Sequence, residues 1–222
     1  MNTIKNDRLW IKAYDWIKKE IFNGSLKEGM PLSESMLAQE VKISRTPIRE
    51  ALSVLERHGY VTLVSGKGAF VSSISMDVVR EIYEIRRLLE PYAARTAIYH
   101  IPDDLLDSAE KNWLRIQSLI ENGIEVNWPG VASLDKDLHV MVTMHTANRH
   151  IRDILLPYNA QMERFQLLSA KALANVEETT RQHLSIIACI KKKDENELAE
   201  LLLEHIISSE NNIRKLYSPY LS

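Results

Sequence analysis

The sequence predicts a mainly α-helical protein of two domains: three helices and a β-hairpin come first, then an all-α antiparallel bundle of about six helices. Length is the first reason, since 222 residues are about one and a half times a typical single domain. Glycine is the second: five of the seven glycines lie in the first 75 residues, which indicates short elements there and long ones afterwards. We place the boundary between residues 73 and 74.

Charge divides the chain in the same way. Residues 1–75 contain 11 Lys/Arg and 8 Asp/Glu, whereas residues 76–222 contain 17 and 22. The N-terminal part is therefore the better candidate for contact with a polyanion. No apolar run exceeds five residues and no secretion signal is visible, so we expect no membrane segment. The single cysteine, Cys189, cannot form an internal disulfide, which fits a cytoplasmic protein.

Hydrophobic periodicity and turn residues locate the N-terminal elements. Apolar residues recur at helical spacing until Asn23-Gly24, and Ser33 is suited to cap a second, short helix. A third helix begins near Ser44 or Thr46 and ends at Gly59. The predicted elements are helices over 9–22, 33–41 and 44–58, and β-hairpin strands over 60–64 and 69–71.

The remainder of the chain has helical periodicity throughout. Asn175 with Glu178, and Asp194 with Glu197, have the spacing of capping boxes. Short connections between consecutive helices predict an antiparallel bundle. The predicted helices are 76–99 with a kink at Pro91, 103–122, 131–147, 150–174, 176–192 and 195–217.

Two short helices, a tight turn and a hairpin are the pattern of a winged helix-turn-helix. A recognition helix that enters the major groove by its N-terminus would present Arg45, Thr46 and Arg49 to bases and phosphates. At the wing, Gly66 permits close approach of the backbone and Lys67 adds a phosphate contact. The alternative is that these arginines are only solvated charges of a first helical turn.

The string Ser44-Arg45-Thr46-Pro47-Ile48-Arg49-Glu50-Ala51-Leu52 resembles the DNA-binding domain of the GntR family of bacterial transcription regulators. The resemblance covers about residues 8–72. Three positions depart from the family pattern: Lys42 replaces a glycine, Glu28 replaces a proline, and Ser35 replaces a longer polar residue. The resemblance implies a homodimer on a double-stranded inverted-repeat operator, contacted by Arg45, Thr46, Arg49, Gly66 and Lys67.

Four polar residues lie on or beside apolar stripes of three predicted bundle helices: Asp135, His139, His183 and His205. A buried histidine needs a hydrogen-bond partner or a metal, because an unpaired polar group costs about 1–3 kcal/mol. Three imidazoles and a carboxylate suit a divalent transition ion, zinc first, with nickel or manganese as other candidates. Alternatively, each histidine is a hydrogen-bonded core residue; His145 and His150 are competing candidate ligands.

Arg86 also lies on an inward stripe, between Ile82 and Leu89. A buried guanidinium requires an anion. That anion is either an internal partner, such as Glu90 or Asp135, or a bound ligand.

Residues 76–217 resemble the FCD domain, the effector-binding domain of the FadR/VanR branch of GntR regulators. The matching motifs are Glu84-Ile85-Arg86-x-x-Leu89-Glu90, Asp135-x-x-x-His139, His183 and His205. In metal-binding members these Asp and His positions are the ligands, and an organic acid completes the coordination. The motif arginine, here Arg86, holds the carboxylate of that acid. A bundle of about six helices is similar to the shorter, VanR-like variant of the FCD domain.

Both resemblances imply a ligand-responsive transcription regulator rather than an enzyme. A small organic acid bound at the metal and Arg86 would lower the affinity for the operator. Two alternatives remain: a DNA-binding regulator whose metal is purely structural, and a metal-dependent enzyme. The enzyme is the weaker alternative, because no acid or base is dedicated to chemistry beside the candidate ligands.

Overall fold

The fold is mainly helical, as predicted. A computed structural model describes residues 3–159, 161–165 and 176–217. The chain divides into two compact units, Met1–Ile74 and Ser75–Ser222. Within the described ranges, no helix combines the length and the apolar character that crossing a bilayer requires.

The N-terminal unit contains three helices and a small antiparallel sheet. The helices are α1 (Thr3–Phe22), α2 (Glu34–Val41) and α3 (Arg45–Arg57), and the strands are β1 (Pro31–Leu32), β2 (Val61–Val64) and β3 (Gly68–Val71). The strand order is β1-β3-β2, so the predicted hairpin is confirmed and β1 adds a third strand. The sequence did not reveal β1, because two residues are too few to show alternation.

Local residues account for the geometry between α2 and α3. Ser33 caps α2 as predicted, and its hydroxyl accepts a hydrogen bond from the Met36 backbone N–H at 3.4 Å. Lys42 ends the helix in the left-handed conformation, with φ 59°, which is the conformation that glycine adopts most easily. Helix α3 buries Ile48 and Leu55 and leaves the first two residues of the helix, Arg45 and Thr46, exposed. The core of the unit thereby fixes how α3 is presented.

The C-terminal unit is the predicted helical bundle. The elements are α4 (Met76–Ala97), α5 (Asp103–Glu121), α6 (Trp128–His145), α7 (Arg149–Leu155), a 3-10 turn (Leu156–Tyr158), α8 (Val176–Lys192) and α9 (Glu195–Tyr217). Helix α4 packs against both α6 and α9, and α8 packs against α5 and α9.

Two prolines have different consequences in this unit. Helix α4 continues through Pro91. The single helix predicted over 150–174 is wrong, because α7 ends at Leu155 and a 3-10 turn containing Pro157 follows. Proline has no backbone N–H and clashes with the preceding turn, which favours such an interruption. Residues 161–165 are helical again, whereas residues 166–175, including the predicted cap Asn175, lie outside the described residues.

The second predicted capping residue is confirmed. The Asp194 carboxylate accepts a hydrogen bond from the Glu197 backbone N–H at 3.0 Å. Only two residues connect α8 to α9, and the two helices pack against each other in the bundle. Each then contributes one histidine to the interior.

Candidate functional site

Three helices of the C-terminal unit bring four sequence-predicted residues together. Asp135 and His139 lie on α6, His183 on α8 and His205 on α9. All four side chains are buried, and His183 is completely inaccessible. One nitrogen or oxygen of each residue lies within 4.8 Å of those of the other three. The arrangement is a buried Asp/His3 cluster that could bind a metal ion.

Short distances within this cluster are not hydrogen bonds. The Asp135 Oδ1 atom lies 2.8, 3.2 and 3.9 Å from the Nε2 atoms of His183, His205 and His139, respectively. All three Nε2 atoms and Asp135 Oδ2 have no hydrogen-bond partner among the described residues. A buried polar atom left without a partner costs about 1–3 kcal/mol, so a shared ligand of all four groups is the physically reasonable explanation.

The other ring nitrogens explain why the Nε2 atoms are acceptors. Each Nδ1 lies at hydrogen-bond distance from an oxygen that can only accept: His139 from Glu90 Oε2 at 2.6 Å, His183 from the Thr179 carbonyl at 2.7 Å, and His205 from Gln182 Oε1 at 2.9 Å. The Nδ1 atoms therefore carry the protons and donate. In the neutral rings, the Nε2 lone pairs then face a carboxylate, which is repulsive unless a cation is shared.

Electrostatics favours a neutral His205 beside an ionised Asp135. Burial and the neighbouring His183 lower the pKa of His205 to about 4, although Asp135 acts in the opposite direction. Burial alone would raise the pKa of Asp135, but the histidines, His183 foremost, hold it well below its ordinary value. Three imidazole nitrogens and one carboxylate oxygen form a donor set that suits a divalent ion such as zinc.

An aromatic side chain covers one face of the cluster. Trp113 of α5 stacks on the His183 ring, with a centroid distance of 4.1 Å and an interplanar angle of 15°. Trp113 is itself buried, so it excludes water from this side and fixes the orientation of the ring. The predicted competitors lie elsewhere: His145 Nδ1 contacts the Met141 carbonyl at 2.8 Å, and His150 is exposed in α7.

Arg86 has an internal partner, and it is Glu90 rather than Asp135. Arg86 Nε donates to Glu90 Oε1 at 2.5 Å, and Nη2 lies 3.5 Å from Oε2. Its third nitrogen, Nη1, lies 3.9 Å from the sulfur of Met162. Burial would raise the pKa of Glu90, but Arg86 and His139 outweigh it and lower the pKa to about 2. The Arg86–Glu90 pair is therefore ionised inside the bundle.

The sequence did not reveal that Glu90 also contacts a candidate metal ligand, His139. The four-residue spacing of Arg86 and Glu90 on one helix was a signal for their mutual pairing. Contact with His139 depends on the packing of α4 against α6, which no local pattern reveals.

In the N-terminal unit, the predicted DNA-contacting residues lie at the surface. Arg45, Thr46 and Arg49 are exposed in the first turns of α3, and Gly66 and Lys67 are exposed in the turn between β2 and β3. A cleft of ≈ 690 Å³ is lined by Arg45, Arg49 and Lys67, so helix and wing present cations to one concave surface. Thr46 is not among its lining residues.

One carboxylate already occupies part of this basic cleft. Arg49 Nε lies 2.7 Å from both Oε1 and Oε2 of Glu34, a residue of α2. This hydrogen bond raises the pKa of Arg49, and it orients an otherwise solvated side chain. Gly66, with φ +73°, supplies a backbone conformation of the wing that L side chains rarely adopt.

Comparisons with known proteins agree with this architecture. Residues 11–71 match the family described as bacterial regulatory proteins, gntR family, and residues 81–208 match the FCD domain. The chain is 30% identical over 196 residues to the HTH-type transcriptional regulator YdhC of Bacillus subtilis (strain 168), covering 88% of this chain and 87% of that protein. It is 25% identical to the HTH-type transcriptional repressor RspR of Escherichia coli (strain K12), covering 92% and 89%.

The fold has a counterpart among solved structures. McbR/YncC of E. coli superimposes with a TM-score of 0.74 at 21% identity, covering 96% of this chain and 98% of that one. The family consists of transcriptional regulators, which decides against the metal-dependent enzyme. With its helix-turn-helix and FCD parts in this order, the chain belongs to the GntR family of bacterial DNA-binding regulators.

Proposed function

We propose that this protein is a homodimeric repressor of transcription that binds an inverted-repeat operator and loses affinity when a small organic acid binds in the bundle. The observation that carries the proposal is the buried Asp/His3 cluster, whose nitrogen lone pairs converge while Arg86 lies one hydrogen-bonded residue away. RspR, a relative, is named a repressor. The site of action is the bacterial cytoplasm, where chromosomal DNA lies.

For DNA, the proposal assigns direct contacts to α3 and to the wing. Arginine donates two parallel hydrogen bonds to a guanine edge, so Arg45 and Arg49 are the candidates for base reading. Thr46 and the wing residues Gly66 and Lys67 would contact the phosphate backbone, which sets register rather than sequence. Support comes from the exposure of all five residues and from the shared cleft of Arg45, Arg49 and Lys67.

For the metal, the proposal assigns Asp135, His139, His183 and His205 as ligands. Zinc is the first candidate, with nickel or manganese next, because imidazole and carboxylate suit all three. A divalent ion held there supplies a Lewis-acid position for one oxygen of a carboxylate ligand. The surrounding residues bury the site and orient the three rings through contacts with their Nδ1 atoms.

Arg86 is assigned to the effector carboxylate. Glu90 accepts from Nε and Nη2, whereas the contact of Nη1 is a thioether sulfur, which is a weak acceptor. A carboxylate oxygen is a far better partner for that N–H, since charged pairs make the stronger hydrogen bonds. An acid that binds the metal and Arg86 together would favour one arrangement of the dimer over another, and only such a difference can change operator affinity.

The dimer is assigned to an exposed stripe on α4. Leu88 is 75% exposed, and Tyr92, four residues further along the same helix, is 56% exposed. In a two-fold antiparallel pairing around Leu88, Glu81 of one copy meets Arg95 of the other, since each is seven residues from the centre. A parallel pairing would place like charges together. Charge complementarity therefore favours a second, antiparallel copy of this helix.

Fluorescence anisotropy of a DNA duplex, selected by the protein from a random-sequence pool, tests the sensor function. Acetate, lactate, succinate and citrate serve as probes with zinc-loaded protein. We expect at least one acid to weaken binding tenfold or more, and the Arg86→Met variant to lose that response. If chelation lowers the melting temperature while no acid changes DNA affinity, the metal is purely structural and the sensor assignment is wrong.

A further inference from the structure

We infer that Glu90 is a positioning residue that couples the effector arginine to the metal: it holds His139 in the ligating tautomer and divides its charge between His139 and Arg86. This inference rests on the proposed function and deepens it, since it makes metal affinity dependent on the state of Arg86. Arg86 has no hydrogen bond or ion pair with any of the four ligand residues within the described chain.

The geometry places Glu90 between the two sites. Its Oε2 atom lies 2.6 Å from His139 Nδ1, and its Oε1 atom lies 2.5 Å from Arg86 Nε. The side chain is 4% exposed, so water does not substitute for either partner. The Glu90 carboxylate therefore contacts both Arg86, which is assigned to the effector, and His139, which is assigned to the metal.

The hydrogen bond to His139 has a chemical consequence at the opposite ring nitrogen. A carboxylate that accepts from Nδ1–H fixes the proton there and makes Nε2 a stronger donor to a metal. The ion pair with Arg86 opposes this effect, because the guanidinium draws charge toward Oε1. When an effector carboxylate binds Arg86, the guanidinium draws less charge from Glu90, and His139 becomes a stronger metal ligand than it is without the effector. Coupling of this kind is reciprocal, so the metal strengthens effector binding by the same factor.

The first test compares two buried glutamates. Glu210 is buried to the same extent as Glu90 and pairs with Arg87 and Arg214, but its hydrogen bonds reach none of the four ligand residues. We expect Glu90→Gln to weaken zinc binding about 10–100-fold in competition with a chelating dye. Glu210→Gln, which also removes a buried charge, is expected to bind zinc within threefold of the wild type. An equal loss in both variants, or none in Glu90→Gln, overturns the inference.

The second test reads the tautomer directly. Nitrogen-15 NMR of the metal-free protein should show His139 with its proton on Nδ1 in the wild type and in Glu210→Gln. In Glu90→Gln we expect a mixture of tautomers or faster proton exchange, because an amide oxygen is a weaker acceptor than a carboxylate. A residue that merely supports the fold would leave this signal unchanged. An unaltered His139 spectrum in Glu90→Gln therefore contradicts the positioning role.

The third test addresses the coupling with Arg86. Arg86→Met should tighten zinc binding several-fold, because Glu90 then shares its charge with His139 alone. In the Glu90→Gln background, Arg86→Met should change zinc affinity less. The difference between the two changes measures the coupling between Arg86 and Glu90. Equal effects in both backgrounds contradict it. If the wild-type protein binds no zinc at all, the proposed function fails together with this inference. If the wild type binds zinc and the Glu90→Gln variant binds it with the same affinity, only the inference fails.

Discussion

The two units treat charge in opposite ways. In the N-terminal unit the cations proposed to contact DNA are exposed, and the Arg49–Glu34 pair lies at the surface. In the described part of the chain, every buried charged side chain belongs to the C-terminal unit: Arg86, Glu90, Asp135, Glu163, Arg164 and Glu210. Exposed ion pairs contribute about 0–1 kcal/mol, whereas removal of one partner of a buried pair costs about 3–5 kcal/mol.

This difference has a functional meaning. A surface that reads DNA needs side chains that exchange water and phosphate readily, so weak pairing is suitable there. A site proposed to bind a metal and a small molecule needs fixed donors and low solvation, and the side chains of the Asp/His3 cluster are buried. Stability is therefore expected to depend on the C-terminal site, and DNA affinity on the N-terminal surface.

Metal removal should cause the largest difference between the two units in their free energies of unfolding. With free zinc at a thousand times its Kd, chelation is expected to lower the free energy of unfolding of the C-terminal unit by about 4 kcal/mol. Hydrogen exchange measures the two units separately, and the N-terminal amides should not change. Asp135→Asn should abolish the zinc effect, whereas Asp137→Asn, on the same helix, should retain it. If zinc also slowed hydrogen exchange in the N-terminal unit, the expected contrast between the two units would be wrong.

The next largest effect is expected at the DNA-reading surface. Arg49→Ala should weaken operator binding by about 1–3 kcal/mol with little change in stability. Glu34→Gln should strengthen binding, because it removes the carboxylate that competes with DNA for Arg49. Arg57→Ala, at the exposed far end of α3, is the matched control and should bind DNA almost as the wild type. Anisotropy at several salt concentrations measures all three; weaker binding by Glu34→Gln would refute the competition.

A charge exchange on α4 should have an intermediate effect. Glu81→Arg and Arg95→Glu are each expected to weaken dimerisation by about 1 kcal/mol per contact, since both juxtapose like charges across the two-fold axis. The double variant should recover the wild-type dissociation constant in sedimentation equilibrium. Failure of the double variant to recover would exclude the antiparallel register around Leu88. Tyr92→Lys, within the same stripe, should weaken the dimer without recovery.

The smallest effects should come from two lysines with left-handed backbones, one in each unit. Lys42 and Lys193 both have φ 59°. Lys42→Gly is expected to stabilise its unit by up to about 1 kcal/mol, since glycine relieves the strain at some cost in chain entropy. Lys193→Gly should stabilise its unit less, because it also removes a hydrogen bond that Lys193 Nζ donates to the Ile98 carbonyl at 2.7 Å. Urea unfolding measures both; a larger gain at Lys193 would contradict this ranking.

Much of the molecule was predictable from local patterns. The Ser33 and Asp194 caps, the wing and most helix boundaries depend on residues close in sequence, because capping and turn formation are short-range. The error over 150–174 has the same origin: apolar periodicity continued through Pro157, although proline interrupts the backbone hydrogen bonds. Strand β1 was missed because it exists only through its pairing with β3.

By itself, the sequence determined the family, the two-part order of the fold and the residue types at both candidate sites, because motifs and amphipathic periods are properties of contiguous chain. Only the tertiary structure decided that Glu90 contacts both Arg86 and His139, and that the Nδ1 atom of each cluster histidine faces an acceptor oxygen. The reason is physical: a hydrogen bond requires placement within a few tenths of an ångström, and the packing of α4, α6, α8 and α9 against one another sets those distances.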